Sequence, residues 1–311
     1  MNADSRKVVL AALAGNVAIA ACKFAAAYLS HSTATLAEAV HSLADTGNQA
    51  LLLVGMRLAL QPANERFNFG RAGERYFWPF VVALLLFSVG GAFAVFDGVD
   101  HLLHPVVEVH SRAWSYGVLG VSLAMEGMSL RVALVEFRKL AAGRGLRRAL
   151  LEARDPTIPL VLAEDMTAIV GLLIALVAVA TSGLTGQDFW DPVGSVIIGA
   201  LLCAVAILIA RITHGLLIGE SATPEDRARV LELVRGVDGV EAVTQMLTLH
   251  LGPDVVLLAL KIAFRATLSV GEVEDVTNRI EAAIRGAMPQ MQKIFIEADS
   301  RGDMRGVASP A

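Results

Sequence analysis

Residues 34–49 read ATLAEAVHSLADTGNQ, and this stretch places several polar side chains inside an apolar segment long enough to cross a membrane. The segment runs from about residue 34 to 60, and a spanning helix needs about 20 residues. Its polar members are Glu38, His41, Asp45 and Asn48. Successive residues of a helix are about 100° apart, so these four share one stripe. An aspartate near the bilayer centre costs about 2.5 to 3.5 kcal/mol on insertion scales, so we expect the stripe to face the protein interior. A bound dication, a proton relay or an ion pair would each offset that cost.

The composition of the whole chain is typical of a membrane protein. Of its 311 residues, 55% are hydrophobic and only 18% are charged, which is too apolar for an ordinary soluble domain. The net charge is -4, and the basic residues gather near predicted helix ends, which excludes an electrostatic footprint for nucleic acid. Cys22 and Cys203 fall in apolar runs, which favours small buried hydrophobic side chains over a disulfide or a metal pair.

Six apolar windows of spanning length follow one another along the chain. They lie at about residues 8–29, 34–60, 76–103, 113–137, 158–182 and 190–217. Six helices put both termini on one side of the membrane. Arginine-rich connections follow the second and the fourth window, so the positive-inside rule places both termini in the cytoplasm or its topological equivalent. The first window is too long for a cleaved signal peptide, and we interpret it as a membrane helix.

A second domain is predicted after Gly219, where charged residues become frequent. Its pattern predicts a helix, two strands, a second helix and a last strand, at about residues 221–235, 240–250, 255–265, 270–286 and 293–299. This order suits a small open sheet with both helices on one face. The sequence therefore divides into a membrane domain at 1–219, a water-soluble α+β domain at 220–299 and a tail at 300–311 that we expect to be disordered.

The spacing of His41 and Asp45 offers an imidazole nitrogen and a carboxylate oxygen to one ion. These ligands suit Zn²⁺ and its neighbours in the periodic table. The alternative is that the polar groups form helix-packing hydrogen bonds, with Glu38 reaching water at the membrane boundary. Asn48 fits a packing role or a role in supporting the ligands. Two ligands do not close a metal site, so another helix has to contribute.

The fifth window contains further carboxylates, Glu164 and Asp165, in the stretch LAEDMTAIVG. Adjacent helical residues point about 100° apart, so we expect only one of them to meet the stripe of the second window directly. Val161, one turn before Asp165, cannot bind a metal. The alternative is that both carboxylates stabilise a helix start through the helix dipole. Lys23 and Glu126 are further polar residues in apolar windows, and both remain open between structural and functional roles.

The chain resembles the cation diffusion facilitator family. The resemblance rests on motifs that occur in order from about residue 8 to 299: AEAVHSLADTGNQ, FNFGRAGERYFW, LAEDMTAIVG, DPVGSVIIG, LLIGES, LHLGPD and IFIEAD. It implies a homodimeric exporter with six membrane helices per subunit and a cytosolic ferredoxin-like, metallochaperone-like domain. Such an exporter moves a divalent transition metal, zinc in first place, out of the cytosol by alternating access and proton antiport.

The resemblance also implies a ligand set in which His41, Asp45 and Asp165 match the family pattern. Val161 stands where a further histidine or aspartate is expected. Glu164 is the obvious substitute, as in a branch that includes a mitochondrial zinc transporter, while a water molecule or Glu38 would also fill the gap. In the soluble domain, Lys261 and Glu297 stand at positions where histidine ligands often occur. His250, Glu297 and Asp299 are weak metal candidates, and a structural role of the domain in dimer contact is the favoured interpretation.

Two other functions compete with the exporter. Asp45 and Asp165 on two membrane helices resemble the aspartate pair of intramembrane proteases, but neither lies in the Tyr-Asp or Gly-x-Gly-Asp motif of those enzymes. A transport-inactive relative that senses metal or binds partners would explain Val161, Lys261 and Glu297. The expected partners are the lipid bilayer, a divalent cation and protons, without a further cofactor. The expected location is a bacterial cytoplasmic membrane.

Overall fold

The computed structural model describes residues 3–30, 33–104, 112–141, 153–187 and 189–299. Within these ranges the side chains of 3–4, 26–27, 29–30, 33–41, 44, 112–115 and 140 are outside the description. The tail at 300–311, for which we expect disorder, lies outside the described residues. The chain forms two compact units. One contains Met1–Pro62 and Glu74–His214, and the other contains Ala63–Gly73 and Gly215–Ala311.

The first unit is built from helices that follow the six predicted windows. They are α1 (Ala3–Ser30), α2 (Thr33–Leu58), α3 (Glu74–Leu85), α4 (Phe93–Leu103), α5 (Arg112–Ala141), α6 (Thr157–Thr185) and α7 (Trp190–Ile218). A π-helical segment, Leu86–Ala92, joins α3 to α4, so these three pieces form one continuous helical span. Five spans in the described part of the chain are long and apolar enough to cross a membrane. The first part of α2 lies outside the residues over which these spans are defined.

An ion pair ties the start of α6 to two other helices. Asp155, two residues before α6, accepts a hydrogen bond from the amide of Thr157 at 3.1 Å and another from the Ser5 hydroxyl at 2.8 Å. The guanidinium of Arg75 also contacts this carboxylate, and both members of the pair are almost completely buried. A buried charge needs such partners, so this network fixes α1 and α3 beside the beginning of α6.

The helices of the first unit pack around an apolar core. Large fully buried members include Leu52 of α2, Phe137 of α5 and Leu160 of α6. Val161 is also completely buried in this core. The core therefore fixes the rotation of α6, and the residues that follow Val161 take their positions from it.

The second unit contains the C-terminal α+β domain. Its elements are α8 (Pro224–Arg235), β1 (Val240–Gly252), β2 (Val255–Phe264), α9 (Val270–Ala287) and β3 (Met291–Asp299). The sheet order is β1-β2-β3, with β1 antiparallel and β3 parallel to β2. Alternate residues of β2 are buried in one core with Val234 of α8 and Ile280 of α9, so both helices cover the same face. The predicted α-β-β-α-β order is confirmed.

The connection between α2 and α3 packs within the second unit. Residues Ala63–Gly73 belong to it, and the ring of Phe69 meets Phe295 of β3 edge-on at 6.4 Å between centroids. Gly252, at the end of β1, lies so close to Ala72 that a Cβ atom there would stand 2.5 Å from the Ala72 Cβ. Glycine is therefore required at this close approach.

Candidate metal site

A polar cavity of about 270 Å³ lies among the helices of the first unit. Its charged lining residues are Lys23, Asp45, Glu126, Glu164 and Asp165. Neutral polar side chains also line it, namely Asn16, Ser42, Gln49, Ser122 and Thr167, and the rest of the lining is apolar. A cavity of this size holds a cation with several water molecules. Carboxylates inside an apolar helix bundle mark ion or proton pathways more often than packing sites.

On the α2 side, Asp45 and Gln49 are one helical turn apart and both line the cavity. The backbone of α2 places position 41 one turn before Asp45, but the side chains of His41 and Glu38 lie outside the described residues. Asn48 is buried, with 7% of its surface exposed, and does not line the cavity. Of the described members of the predicted polar stripe, Asp45 lines the cavity and Asn48 does not, while Gln49, which the predicted stripe did not include, lines it as well.

On the α6 side, Glu164 and Asp165 lie about two turns inside the helix, which begins at Thr157 and has no acidic residue in its first turn. The stabilising effect of the helix dipole on a carboxylate falls off within the first turn. The structure therefore argues against the alternative that these two carboxylates are there for the helix start. Asp155 and the Thr157 amide occupy that position instead.

The two neighbouring carboxylates face different helices. Glu164 Oε2 accepts a hydrogen bond from Gln49 Nε2 of α2 at 2.7 Å. Asp165 Oδ2 accepts one from the Ser129 hydroxyl of α5 at 2.7 Å, and both of these side chains are buried. Of these two carboxylates, Glu164 is the one that hydrogen-bonds to a described side chain of α2. This agrees with the 100° between adjacent residues, while the cavity is wide enough for both carboxylates to line it.

One oxygen of Glu164 is left for a ligand. Among the residues that the structure describes, Glu164 Oε1 is buried and has no hydrogen-bond partner. A buried carboxylate oxygen without a partner is costly, so it is expected to bind a cation or a proton. Val161 does not line the cavity and contacts the apolar core instead. Glu164 is thus the residue of this region of α6 that joins Asp165 at the cavity.

A third side of the cavity is formed by α5, from which no metal ligand was predicted. Ser122 and Glu126 line the cavity, and Ser129 binds Asp165. The spacing of these three residues is i, i+4 and i+7, which places them on one helical face. The spacing of these polar residues within an apolar window is visible in the sequence. The sequence left Glu126 open between a structural and a functional role, and the structure places its side chain at the cavity.

The carboxylates are distributed around the cavity and do not converge on one point. In the described ranges, no three His, Cys, Asp or Glu side chains lie close enough together to hold a metal ion. His41 falls outside that comparison because its side chain is not described. Binding a dication here would therefore require Asp45 of α2 and the carboxylates of α6, Glu164 and Asp165, to move closer together.

The weak metal candidates of the C-terminal domain are not brought together. His250 is buried near the end of β1. In the sheet it lies opposite Val256 of β2, which in turn lies opposite Met291 at the start of β3. Glu297 is six residues after Met291 on β3, which at the rise of a strand is roughly 20 Å along the sheet from the level of His250. Its carboxylate binds Lys261 at 3.3 Å. Asp299 accepts a hydrogen bond from the Thr244 hydroxyl at 2.7 Å. These carboxylates are engaged within the sheet.

Comparison with known families agrees with the two units. Residues 9–218 match the family model described as cation efflux transmembrane domain, and residues 222–301 match the model described as cation efflux protein, cytoplasmic domain. The human protein named "Proton-coupled zinc antiporter SLC30A9, mitochondrial" is 32% identical over 248 residues, which are 79% of this chain and 44% of the human protein.

Two further relatives come from a plant and an archaeon. Metal tolerance protein C4 of Arabidopsis thaliana is 31% identical over 301 residues, which are 96% of this chain and 64% of the plant protein. An uncharacterized transporter of Methanocaldococcus jannaschii, MJ0449, is 20% identical over 292 residues, which are 94% of this chain and 95% of the archaeal protein. The chain spans about half the length of the antiporter relatives that it matches.

Proposed function

Because the chain belongs to the cation efflux family, we propose that it exports a divalent transition-metal cation, zinc in first place, across a membrane in exchange for protons. The observation that carries this proposal is the polar cavity between α2, α5 and α6, in which Asp45 faces Glu164 and Asp165. Membership of a transporter family also confirms the expectation that the protein is not an intramembrane protease.

The proposed ligands of the transported cation are His41, Asp45, Glu164 and Asp165. One imidazole nitrogen and several carboxylate oxygens favour a transition-metal dication over Na⁺ or K⁺. The ligand types do not separate Zn²⁺ from Co²⁺, Fe²⁺, Ni²⁺ or Mn²⁺, because affinities follow the Irving-Williams order more than the ligand list. The names of the antiporter relatives support zinc.

Proton exchange follows from the chemistry of these ligands. An imidazole binds a metal only when it is neutral, and a carboxylate only when it is ionised, so cation binding releases protons and protons compete with the cation. In the proposed alternating-access cycle, the cavity opens to each side of the membrane in turn. The cation leaves where protons take its place, which couples export to inward proton flow. The relatives named as proton-coupled antiporters support this step.

The assembly and location are also proposals. A homodimer is supported by the match of the C-terminal domain to the cytoplasmic domain of cation efflux proteins. The arginine-rich connections support an orientation with both termini on the cytoplasmic side. The chain is a membrane protein, but the relatives named as mitochondrial give no support to a bacterial cytoplasmic membrane.

The transport-inactive relative is the second candidate. Its motivation was the missing ligand at Val161, which indeed lies in the apolar core. Glu164 offers a buried oxygen to the cavity in its place. The remaining support for a transport-inactive protein is the pair Lys261 and Glu297, which stand where histidine ligands often occur. These two side chains form an ion pair between β2 and β3.

Uptake of Zn²⁺, Co²⁺, Mn²⁺ and Fe²⁺ into proteoliposomes with an acidic lumen tests the proposal. We expect wild-type protein to take up zinc and to lose that uptake when the gradient is collapsed. Asp45→Asn is expected to lower the rate at least about tenfold, since Asp45 is a proposed ligand. Asp97→Asn is the matched control, because Asp97 lies half-exposed on α4 beside His101. A folded wild type that moves no metal would favour the transport-inactive relative, and normal uptake by Asp45→Asn would reject the ligand assignment.

A further inference from the structure

Glu126 lies on α5, a helix outside the two from which ligands were expected. Its side chain lines the same cavity as Asp45, Glu164 and Asp165. The charges that act on it most strongly are those of Asp165, Asp45 and Lys23. A glutamate in a membrane helix that faces other carboxylates is repelled by them unless one of the group is protonated or a cation is shared among them.

The α6 carboxylates have only part of their binding capacity left for a cation. Gln49 occupies one oxygen of Glu164, and Ser129 occupies one oxygen of Asp165. The remaining buried oxygen of Glu164 has no hydrogen-bond partner among the described residues. The two α6 carboxylates therefore offer too few oxygens to surround an ion that enters the cavity. Further ligand atoms have to come from other helices.

Glu126 is in position to supply such an oxygen. It stands on the same face of α5 as Ser129, one turn away, and Ser129 binds Asp165 directly. Lys23 of α1 lines the same cavity and carries the opposite charge, which balances part of the carboxylate charge when no dication is present. Four carboxylates from three helices thus line one cavity, and the summed negative charge suits a dication.

We propose that Glu126 is a further ligand of the transported cation, supplied by α5. This inference rests on the proposed function and extends its ligand set by one carboxylate oxygen. The resulting donor set is richer in oxygen than a set drawn from α2 and α6 alone. Because carboxylate oxygens suit Mn²⁺ better than imidazole does, Glu126 widens the range of metals that the site accepts.

The test compares purified wild type with Glu126→Gln in equilibrium titrations with ZnCl₂ and with MnCl₂. Loss of a partner outside the ligand shell already costs about 10 to 100-fold in metal affinity, so loss of a ligand is expected to weaken zinc binding at least about tenfold. Manganese binding is expected to fall more than zinc binding, a change of ratio that general loosening of the helix would not produce. Glu136→Gln is the matched control, because Glu136 lies on the same helix and pairs with Lys139 outside the cavity.

A second measurement needs no substitution and applies even where Glu126→Gln does not fold. Dicyclohexylcarbodiimide modifies carboxyl groups in apolar surroundings, and peptide mass spectrometry locates the modified residue. We expect wild-type protein to be labelled at Glu126 and ZnCl₂ to protect that residue.

Each outcome decides the inference. Unchanged zinc and manganese affinities in Glu126→Gln, or labelling of Glu126 that zinc does not reduce, overturn the role of Glu126. If the wild type nevertheless takes up zinc in proteoliposomes, zinc export remains the proposed function, with Glu126 excluded from the ligand set. A wild type that binds neither metal overturns both the inference and the proposed function.

Discussion

At the scale of single residues, the Ser129 hydroxyl determines how Asp165 is held in the cavity. It donates to Asp165 Oδ2 at 2.7 Å, and both groups are buried. Removing it with Ser129→Ala leaves a carboxylate oxygen without its donor. Because such supporting partners orient a ligand, we expect zinc affinity to fall about 10 to 100-fold, as measured by competition with a zinc-binding dye.

Ser122→Ala is the matched control for this prediction. Ser122 is also buried on α5 and lines the cavity, two turns before Ser129. It tests whether loss of any buried hydroxyl from this face has the same effect. Equal losses in both variants, or none in Ser129→Ala, would contradict the role assigned to the Ser129–Asp165 bond.

The sequence predicted part of the residue-level picture. The stripe on α2 and the pair at Glu164 and Asp165 followed from polarity in apolar windows and from helical spacing. The hydrogen bonds Gln49–Glu164 and Ser129–Asp165 join helices far apart in the chain, so no local pattern reveals them. The positions of Glu38 and His41 stay predictions, because their side chains lie outside the described residues.

At the scale of elements, hydropathy predicted the membrane helices well, because a spanning helix has to be apolar over most of its length. It did not predict the π-helical segment Leu86–Ala92 between α3 and α4. This segment contains Gly90 and Gly91, and Leu86 lines the cavity. A change of helical winding over a few residues leaves the hydropathy pattern unchanged, so it becomes visible only in three dimensions.

Close packing of α7 against this span depends on Gly199. A Cβ atom at Gly199 would stand 2.7 Å from the backbone nitrogen of Val95 and 2.8 Å from the carbonyl oxygen of Gly91. Backbone atoms cannot move aside as a flexible side chain does. Gly199→Ala is therefore expected to destabilise the helical unit by on the order of 1 to 3 kcal/mol, as for overpacking in a core.

Thermal unfolding in detergent, followed by tryptophan fluorescence, measures this effect. Gly120→Ala on α5 is the control, because no neighbouring atom lies within 4 Å of a Cβ placed there. We expect a lower melting temperature for Gly199→Ala and little change for Gly120→Ala. A melting temperature of Gly199→Ala equal to that of wild type would mean that α7 and α4 have room to separate.

At the scale of the whole molecule, the order of elements was predictable and the grouping of the chain was not. A membrane part followed by an α-β-β-α-β domain could be read from composition and periodicity. The connection at Ala63–Gly73 lies between two membrane helices in sequence, yet it packs in the unit of the C-terminal domain. Its aromatic contact through Phe69 and Phe295 joins residues more than two hundred positions apart, beyond the reach of local patterns.

We propose that the transported cation binds in the cavity among α2, α5 and α6. A zinc-edge anomalous difference map from crystals of the zinc-loaded protein tests this placement. We expect a peak in the cavity, with carboxylate oxygens of Asp45, Glu164 or Asp165 about 2.0 to 2.2 Å from the ion. A peak found only in the C-terminal domain, with none in the cavity, would contradict it.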